Sequence, residues 1–446
     1  GRVEPAFSIL MANLSDTIYA LSSGGLPAGI AVVRVSGSSA GMILEAMSGK
    51  PVEPRIARLL SLSDHNGAVL DRALTLFFPE GQSFTGEPVA EFHLHGGKAV
   101  VHAVLDNIAA FTHTRPAEAG EFTRRAFING RMDLTAAEGV ADLISAETEA
   151  QRRFALQNAG GEQALLYSSW RTQLIEARAM IEADLDFSDE GDVPGSVADT
   201  VLQQVHALNE AIRAHLAQTR GGEIIRDGFR IVIIGEPNVG KSSLLNALAR
   251  RDVAIVSDEA GTTRDLIEVA LDLAGYKIVL TDTAGLRATQ NRVEQIGIER
   301  AQGAAQRADL VLQLHISGRT PPELLDPHRT VLVATKADLV PQQHDPNCIA
   351  VSTFTGHGLS QLLSAIEERV VNEAAGFRSI LPSRERHVQH LQRAVSALER
   401  AGSPHLPLEL CAEELRLAAD HLGHITGAIG VDDLLDVIFS RFCIGK

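Results

Sequence analysis

Cysteine is scarce: the chain of 446 residues has three, Cys348, Cys411 and Cys443, far apart and with no Cys-x-x-Cys pair. That spacing argues against a disulfide framework or a sulfur-bound zinc site, and for a reducing compartment, so a cytoplasmic location is expected. No apolar run reaches the roughly 18 uninterrupted residues that a membrane span needs, so no span is expected. Positive charge is also short, with 40 Lys and Arg against 56 Asp and Glu and a formal net charge of −16. A protein that holds nucleic acid by bulk electrostatics carries the opposite balance. Any RNA partner must meet a local basic patch or arrive through another protein. Residues 1–14, around Met11, lack the layout of a secretory signal and read as a leader and start. The remaining length suggests about three domains.

What is present centres on residues 229–243. Ile231, Val232, Ile233 and Ile234 read as a buried strand. Gly235-x-x-x-x-Gly240-Lys241-Ser242 follows, and then Leu244, Leu245 and Leu248 at helical spacing. Strand, glycine loop and helix is the context that gives this motif a mechanism. Glycines let backbone N–H groups curl around phosphate oxygens, and the helix N-terminus adds its positive end. Lys241 is expected at the β- and γ-phosphates and the Ser242 hydroxyl at magnesium, with Asn238, Val239, Gly240 and Ser243 completing the loop.

Downstream pieces choose the base. Tyr276-Lys-Ile-Val-Leu-Thr-Asp282-Thr283-Ala284-Gly285 is a strand ending in an aspartate. Its carboxylate is suited to the magnesium water shell, and the Gly285 N–H to sensing the γ-phosphate. A second strand ends in Thr335-Lys336-Ala337-Asp338. An aspartate there accepts hydrogen bonds from guanine N1–H and the 2-amino group, which adenine cannot supply, and unpaired buried acceptors reject the wrong ligand. Ser352-Thr353, after the next short strand, is expected near the guanine oxygen. The ordered set resembles translation-factor-type GTPases, with Thr335 standing where asparagine is usual. Leu286 occupies the place of the water-positioning glutamine of Ras-like enzymes. Positive charge at the transition state is worth about 10³–10⁵ when an arginine finger supplies it. Asn238 and the stretch Gly261-Thr262-Thr263-Arg264-Asp265 point instead to a monovalent cation held by loop carbonyls and the Asn238 amide, with Thr263 as the second magnesium ligand. Glu294, at the start of a helical run, reads by itself as a helix-start glutamate or as a group that orients water through a bridge.

The flanks differ in pattern. Residues 15–128 alternate short β-type runs with glycine turns, including 30–35, 73–78 and 89–95, with a helix expected over 97–111; this reads as a compact α+β domain. Arg34 interrupts an apolar strand and must be paired or bound to an anion. Glu91, His93 and His95 share one strand face, which fits a solvated face better than a metal site. Residues 129–227 turn helical, with stripes at Ala136, Val140, Leu143, Ile144 and at Leu174, Ala177, Ile181. Arg124, Arg125 and Arg131 read equally as a solvated helix face or an anion site. The nucleotide domain spans 228–373. Helical patterning resumes over 374–446, at His387, Leu391, Val395, Leu398 and then Leu415, Ala418, Leu422. The α/β unit is therefore expected to be inserted into a helical-bundle domain.

Several flanking motifs carry a narrower resemblance. They are Ser83-Phe-Thr-Gly-Glu87, Glu91-Phe-His-Leu-His-Gly-Gly97, Gly120-Glu-Phe-Thr-Arg-Arg-Ala-Phe127, Asn129-Gly-Arg-Met-Asp-Leu134 and the ending Phe442-Cys-Ile-Gly-Lys446. Together they resemble the MnmE (TrmE) family of tRNA-modification GTPases from residue 16 to 446. The resemblance implies a folate-binding N-terminal domain that mediates a homodimer, a helical domain split by a Ras-like P-loop domain, and potassium-stimulated GTP hydrolysis. It also implies a flavin-dependent partner protein, forming a heterotetramer, with which the family installs an aminomethyl-type or carboxymethylaminomethyl group at C5 of the tRNA wobble uridine. By motif position, Arg34, Glu91, Arg131 and Lys446 match contacts to 5-formyl-tetrahydrofolate or a related tetrahydrofolate. Asn238, Ser257, Glu259 and Thr262 match the potassium site, Ser242 and Thr263 the Mg2+ ligands, Glu294 the catalytic glutamate and Cys443 the cysteine of the terminal motif. The stretch 22–27, Ser-Ser-Gly-Gly-Leu-Pro, departs from the family's Pro-Pro-Gly-Arg-Gly-Gly. A ribosome-assembly GTPase switch is the competing reading; it usually brings an RNA-binding fold and a basic tail, which this chain's acidic helical part and Cys-Ile-Gly-Lys ending do not resemble.

Overall fold

The computed structural model describes residues 16–51, 53–186, 197–251, 254–255, 267–282, 303, 306–324, 326–340, 348–374, 380–430, 435, 438–440, 442 and 444–445. They fall into two compact units, one within 1–141 and 423–446, the other within 142–422.

The first unit is built on a six-stranded sheet. Its strands are β1 (Thr17–Leu21), β2 (Ala28–Ser36), β3 (Arg58–Ser63), β4 (Val69–Phe78), β5 (Val89–Gly96) and β6 (Thr114–Pro116), in the order β3-β4-β5-β2-β1-β6. All neighbours are antiparallel except β1 and β6. Helices α1 (Ala40–Ser48) and α2 (Lys98–Ala109) cover one face, and Val33, Val35, Ile43, Phe92, Val104 and Ile108 form a core with no exposed surface. Alternation explains the register: Ala31, Val33 and Val35 point into that core, and Val32 and Arg34 to the other face. Helix α3 (Glu121–Ile128) and α4 (Leu134–Ile144) follow. The expected stripe on α4 holds only at its start, because Val140 and Leu143 are half-buried and Ile144 is 43% exposed. The chain end returns to this unit, where Ile444 bridges antiparallel to Ala119. Gly445 packs so close that a Cβ would lie 2.2 Å from the Leu21 carbonyl oxygen.

The second unit combines helices with a mostly parallel sheet. Helices α5 (Glu149–Ala159), α6 (Glu162–Asp186), α7 (Val197–Leu216) and α8 (Thr219–Asp227) precede the sheet; α10 (Leu359–Glu373), α11 (Glu385–Ala401) and α12 (Leu408–Thr426) come after it. The stripes read from sequence are buried: Leu174, Ala177 and Ile181 on α6, His387, Leu391, Val395 and Leu398 on α11, and Leu415, Ala418 and Leu422 on α12. Strands β7 (Phe229–Gly235), β8 (Ile267–Leu273), β9 (Tyr276–Asp282), β10 (Leu310–Ile316), β11 (Thr330–Thr335) and β12 (Cys348–Ala350) lie in the order β12-β11-β10-β7-β9-β8. Only β8 runs antiparallel to its neighbour. The β-branched run of β7 is explained by its central place, since a parallel strand with sheet on both sides is covered on both faces. Helix α9 (Lys241–Ala249) starts directly after the glycine loop and packs Leu244, Leu245 and Leu248 into the core beneath it. Each such leucine contributes about 1.5–3 kcal/mol by leaving water, so the loop is anchored at both ends by burial.

Candidate functional site

The glycine loop runs from the carboxyl end of β7 to the first turn of α9. Its backbone conformations need the residues present. Gly235 has φ +150°, and a Cβ there would meet the Leu314 carbonyl oxygen at 2.6 Å. Gly240 has φ +109° and Asn238 φ +62°, the left-handed region that asparagine tolerates better than most residues. Lys241 is 8% exposed. Its Nζ donates to the carbonyls of Gly235 at 2.7 Å and Glu236 at 3.0 Å, holding the ammonium at the centre of the loop. Burial pushes its pKa below the ordinary lysine value, and Asp282 partly offsets this. The Ser242 hydroxyl donates to Asp282 Oδ2 at 2.6 Å, and Asp282 is fully buried. A hydroxyl and a carboxylate at that distance are hard oxygen donors suited to magnesium, so the residues fit the ion.

Two of the residues expected at the base, Thr335 and Lys336, are tied to the same loop. Thr335 Oγ1 donates to the Val239 carbonyl at 2.6 Å and also lies 3.0 Å from the His315 carbonyl. Lys336, itself at φ +57°, donates through Nζ to the Asn238 carbonyl at 3.0 Å. Ser352 Oγ donates to Asp338 Oδ1 at 2.6 Å and accepts from the Thr355 N–H at 3.2 Å, so the carboxylate is aimed by a buried neighbour. Thr353 is exposed, as is Ser243. The structure thus gathers Asn238, Val239, Lys241, Ser242, Asp282, Thr335, Lys336, Asp338 and Ser352 at or after the carboxyl ends of β7, β9, β11 and β12. Ser257, Glu259, Thr262, Thr263, Thr283, Ala284, Gly285, Leu286, Glu294, Cys443 and Lys446 lie outside the described residues.

A second group of expected residues sits in the first unit. Arg34 on β2 stands opposite Glu91 on β5 in the strand register. Its Nε and Nη2 lie 3.0 and 2.9 Å from Glu91 Oε1. The guanidinium also lies over the rings of Phe84 and Phe122, 5.9 and 5.7 Å from their centroids. Of the three polar residues expected to share the face, Glu91 thus serves Arg34, His93 Nε2 lies 3.5 Å from Glu91 Oε2, and His95 pairs with Asp71 at 2.7 Å. The stem of the exposed Arg131 packs on Gly86, in the loop that carries Phe84. A cation, a carboxylate and two flanking rings fit a flat cofactor that carries both a carboxylate and paired N–H donors.

Arg125 corrects the reading of a solvated basic face. It is fully buried, with Nη2 3.0 Å from Glu121 and Nη1 3.0 Å from Glu87, and Nη1 also donates to the Asp16 carbonyl at 2.8 Å. Burial pushes Glu121 up, but its hydrogen bonds from Arg115 and the Glu118 N–H, with the charge of Arg125, bring it net below the usual carboxylate range. Arginine at this spacing looks like a helix surface in sequence; the two glutamates that bury it come from α3 itself and from the loop before β5.

A family model described as "MnmE helical domain" matches residues 134–443, and one described as "GTP-binding protein TrmE N-terminus" matches residues 17–131. Relatives named "tRNA modification GTPase MnmE" include those of Chelativorans sp. (strain BNC1) and Brucella ovis, each 54% identical over 435 residues, covering 97% of this chain and 98% of the relative. The relative in Brucella anthropi is 52% identical over 439 residues, covering 98% and 99%. Among solved structures, the G domain of the T. maritima FeoB iron transporter is 25% identical and covers 33% of this chain and 98% of its own, with a TM-score of 0.23. The FeoB G-domain from Methanococcus jannaschii gives 24%, 32% and 97%, again with a TM-score of 0.23.

Proposed function

Because the chain belongs to the MnmE (TrmE) family of tRNA-modification GTPases, we propose that it works with a flavin-dependent partner to install an aminomethyl or carboxymethylaminomethyl group at C5 of the wobble uridine of certain tRNAs. In this reading GTP hydrolysis is stimulated by potassium. The chain is a cytoplasmic homodimer through residues 15–128, and its GTPase domain, 228–373, is inserted between helical parts 129–227 and 374–446.

The observation that carries the nucleotide half is the tether of Thr335 and Lys336 to the phosphate loop, with Asp338 two residues on held by Ser352. Asp338 reads guanine N1–H and the 2-amino group. Lys241 holds the β- and γ-phosphates, and its depressed pKa reflects a partly desolvated site where charge acts strongly. Magnesium, when bound, neutralises phosphate charge; Ser242 and Thr263 hold it, with Asp282 orienting its water shell. Asn238, Ser257, Glu259 and Thr262 hold potassium, and Glu294 orients the attacking water. A tetrahydrofolate, when bound, supplies the one-carbon unit; Glu91 takes its pterin N–H donors with Arg34 beside it at the same end, and Arg131 and Lys446 make further contacts to it. Cys443 belongs to the same terminal motif.

The test is GTP hydrolysis by the purified chain in potassium against sodium, together with wobble-uridine analysis of tRNA from a deletion strain. A potassium stimulation lost in Asn238→Ala is expected, as is loss of the modification in the deletion strain. Equal rates in both salts would remove the cation from the mechanism. Normal modification in the deletion strain would overturn the reading.

A further inference from the structure

An acidic protein whose substrate is RNA needs a local surface where cations are in surplus. The described residues offer unpaired cations at the amino ends of the parallel strands. A cleft of about 510 Å3 there is lined by Arg220, Arg230, Arg307 and Arg329 with Asp309 and Glu373. The arginines come from four separate segments: α8, the second residue of β7, the residues before β10 and the residue before β11. The phosphate loop lies at the other end of β7, seven residues or roughly 20 Å away.

Pairing decides which charges remain available. Asp309 is 4% exposed; its Oδ2 accepts from the Arg230 backbone N–H at 2.7 Å and its other oxygen pairs with Arg220. Glu223 also lies 3.7 Å from Arg220, and Asp326 neutralises Arg329 at 2.8 Å. Arg230 and Arg307 are exposed, and among the described residues no carboxylate lies within ion-pair distance of either side chain. Glu373 is the one acid of the lining left facing them. A neighbouring cavity of about 470 Å3 shares Arg230 and adds Arg226 and Lys277. Its cations are already matched, Arg226 to Asp227 and Lys277 to Glu147, while Arg384 holds Asp142. The unpaired positive charge is therefore at Arg230 and Arg307, in a cleft whose other two arginines are held by Asp309, Glu223 and Asp326.

We propose that this cleft is where the chain holds the phosphodiester backbone of its tRNA, with Arg230 and Arg307 each contacting a phosphate. The proposal rests on the family reading that tRNA is the substrate. Guanidinium forks suit phosphate oxygens, and contacts of this kind position an RNA without reading its sequence. Each phosphate neutralised contributes about 0.7–0.9 to the slope of log affinity against log salt. Losing two should lower the slope by about 1.4–1.8, so that between about 50 and 200 mM salt the wild type loses about tenfold more affinity than the variant.

The experiment is a salt titration of fluorescein-labelled tRNA binding to the full chain by anisotropy, comparing wild type, the double variant Arg230→Ala with Arg307→Ala, and the double variant Arg230→Lys with Arg307→Lys. The alanine pair should flatten the slope, the lysine pair should restore it, and GTP hydrolysis should be unchanged in both, because the cleft is at the opposite end of the strands from the phosphate loop. An unchanged slope in the alanine pair, with the wild type binding tRNA, overturns the proposal alone. A wild type that binds no tRNA at any salt sinks both the proposal and the reading beneath it. If instead the alanine pair loses only the binding of poly-glutamate, the cleft belongs to an acidic protein segment and the proposal fails.

Discussion

Thr335→Val is the sharpest perturbation of the nucleotide site. The exchange removes a hydroxyl and leaves the side-chain volume nearly unchanged. Thr335 is 3% exposed, and its single proton serves the Val239 carbonyl at 2.6 Å, with the His315 carbonyl 3.0 Å away. Valine would leave Val239, a loop residue 1% exposed, with an acceptor short of its partner. Such a loss costs about 1–3 kcal/mol. That loop is held in left-handed backbone at Asn238 and Gly240, so the cost should fall on the conformation that receives phosphates. If all of it does, nucleotide affinity drops by about 5- to 150-fold. Equilibrium titration with a fluorescent GDP measures the affinity, and urea unfolding of the free protein measures any share taken by the fold. Thr335→Ser, which keeps the donor, should retain affinity within a few-fold. Affinity within twofold of wild type in Thr335→Val, with an unchanged unfolding midpoint, would refute the assignment of the tether.

Two further predictions use the same geometry and one buried imidazole. Asp338→Asn replaces a carboxylate acceptor with an amide that donates, so discrimination should shift from GTP toward the xanthine nucleotide by a factor on the order of 10⁴; competition binding with both nucleotides checks it, and unchanged preference would remove Asp338 from base recognition. His215 is lowered to about 4 by burial, with a smaller contribution from the charge of His387, and its Nε2 lies 3.0 Å from the Tyr167 hydroxyl. Since the folded pKa is below the unfolded value near 6.5, the unfolded chain binds the extra proton. The stabilisation is therefore complete above about pH 6.5 and is lost as pH falls toward 4. Between pH 6.5 and 5 the loss from this group is about 2 kcal/mol. Urea unfolding at the two pH values, in wild type and His215→Gln, isolates it; equal pH dependence in both proteins would refute the account.

Much of the fold was legible because periodicity reports burial directly. The runs at 30–35, 73–78 and 89–95 lie within β2, β4 and β5, and the stripes on α6, α11 and α12 face cores. Strand–loop–helix order made the phosphate loop readable, since glycine spacing and local hydrophobic pattern are short-range signals. The failures are long-range. Ile144 continues an apolar stripe in sequence, yet it ends α4 and is exposed, because a helix buries a stripe only as far as its neighbour extends. Arg125 looked like a surface cation because Glu87, one of the two carboxylates that bury it, lies 38 residues away. Thr335 read as a departure from a motif. Its role as a tether appears only when β11 brings it beside the loop after β7, 96 residues earlier.

The hairpin β8–β9 shows most clearly what order along the chain conceals. In sequence it is two strands and a turn, with Ala274 and Gly275 both at positive φ, as a two-residue hairpin turn requires. One end of the ribbon carries Asp282, which accepts from Ser242. Near its other end, the Gly275 carbonyl accepts from the Ala150 N–H at 3.0 Å, and Lys277 pairs with Glu147. Ala150 sits in the first turn of α5, whose cap is closed by Thr148 and Gln151, and Gln151 Nε2 donates at 2.9 Å to the Arg226 carbonyl at the end of α8. Seven registered residue pairs join the two ends of the ribbon. One antiparallel ribbon therefore carries both the acceptor for Ser242 and the contacts that α5 makes at the turn. The phosphate site and the helical part thus share one covalent and hydrogen-bonded element, and neither partner of that element is adjacent to the other in sequence.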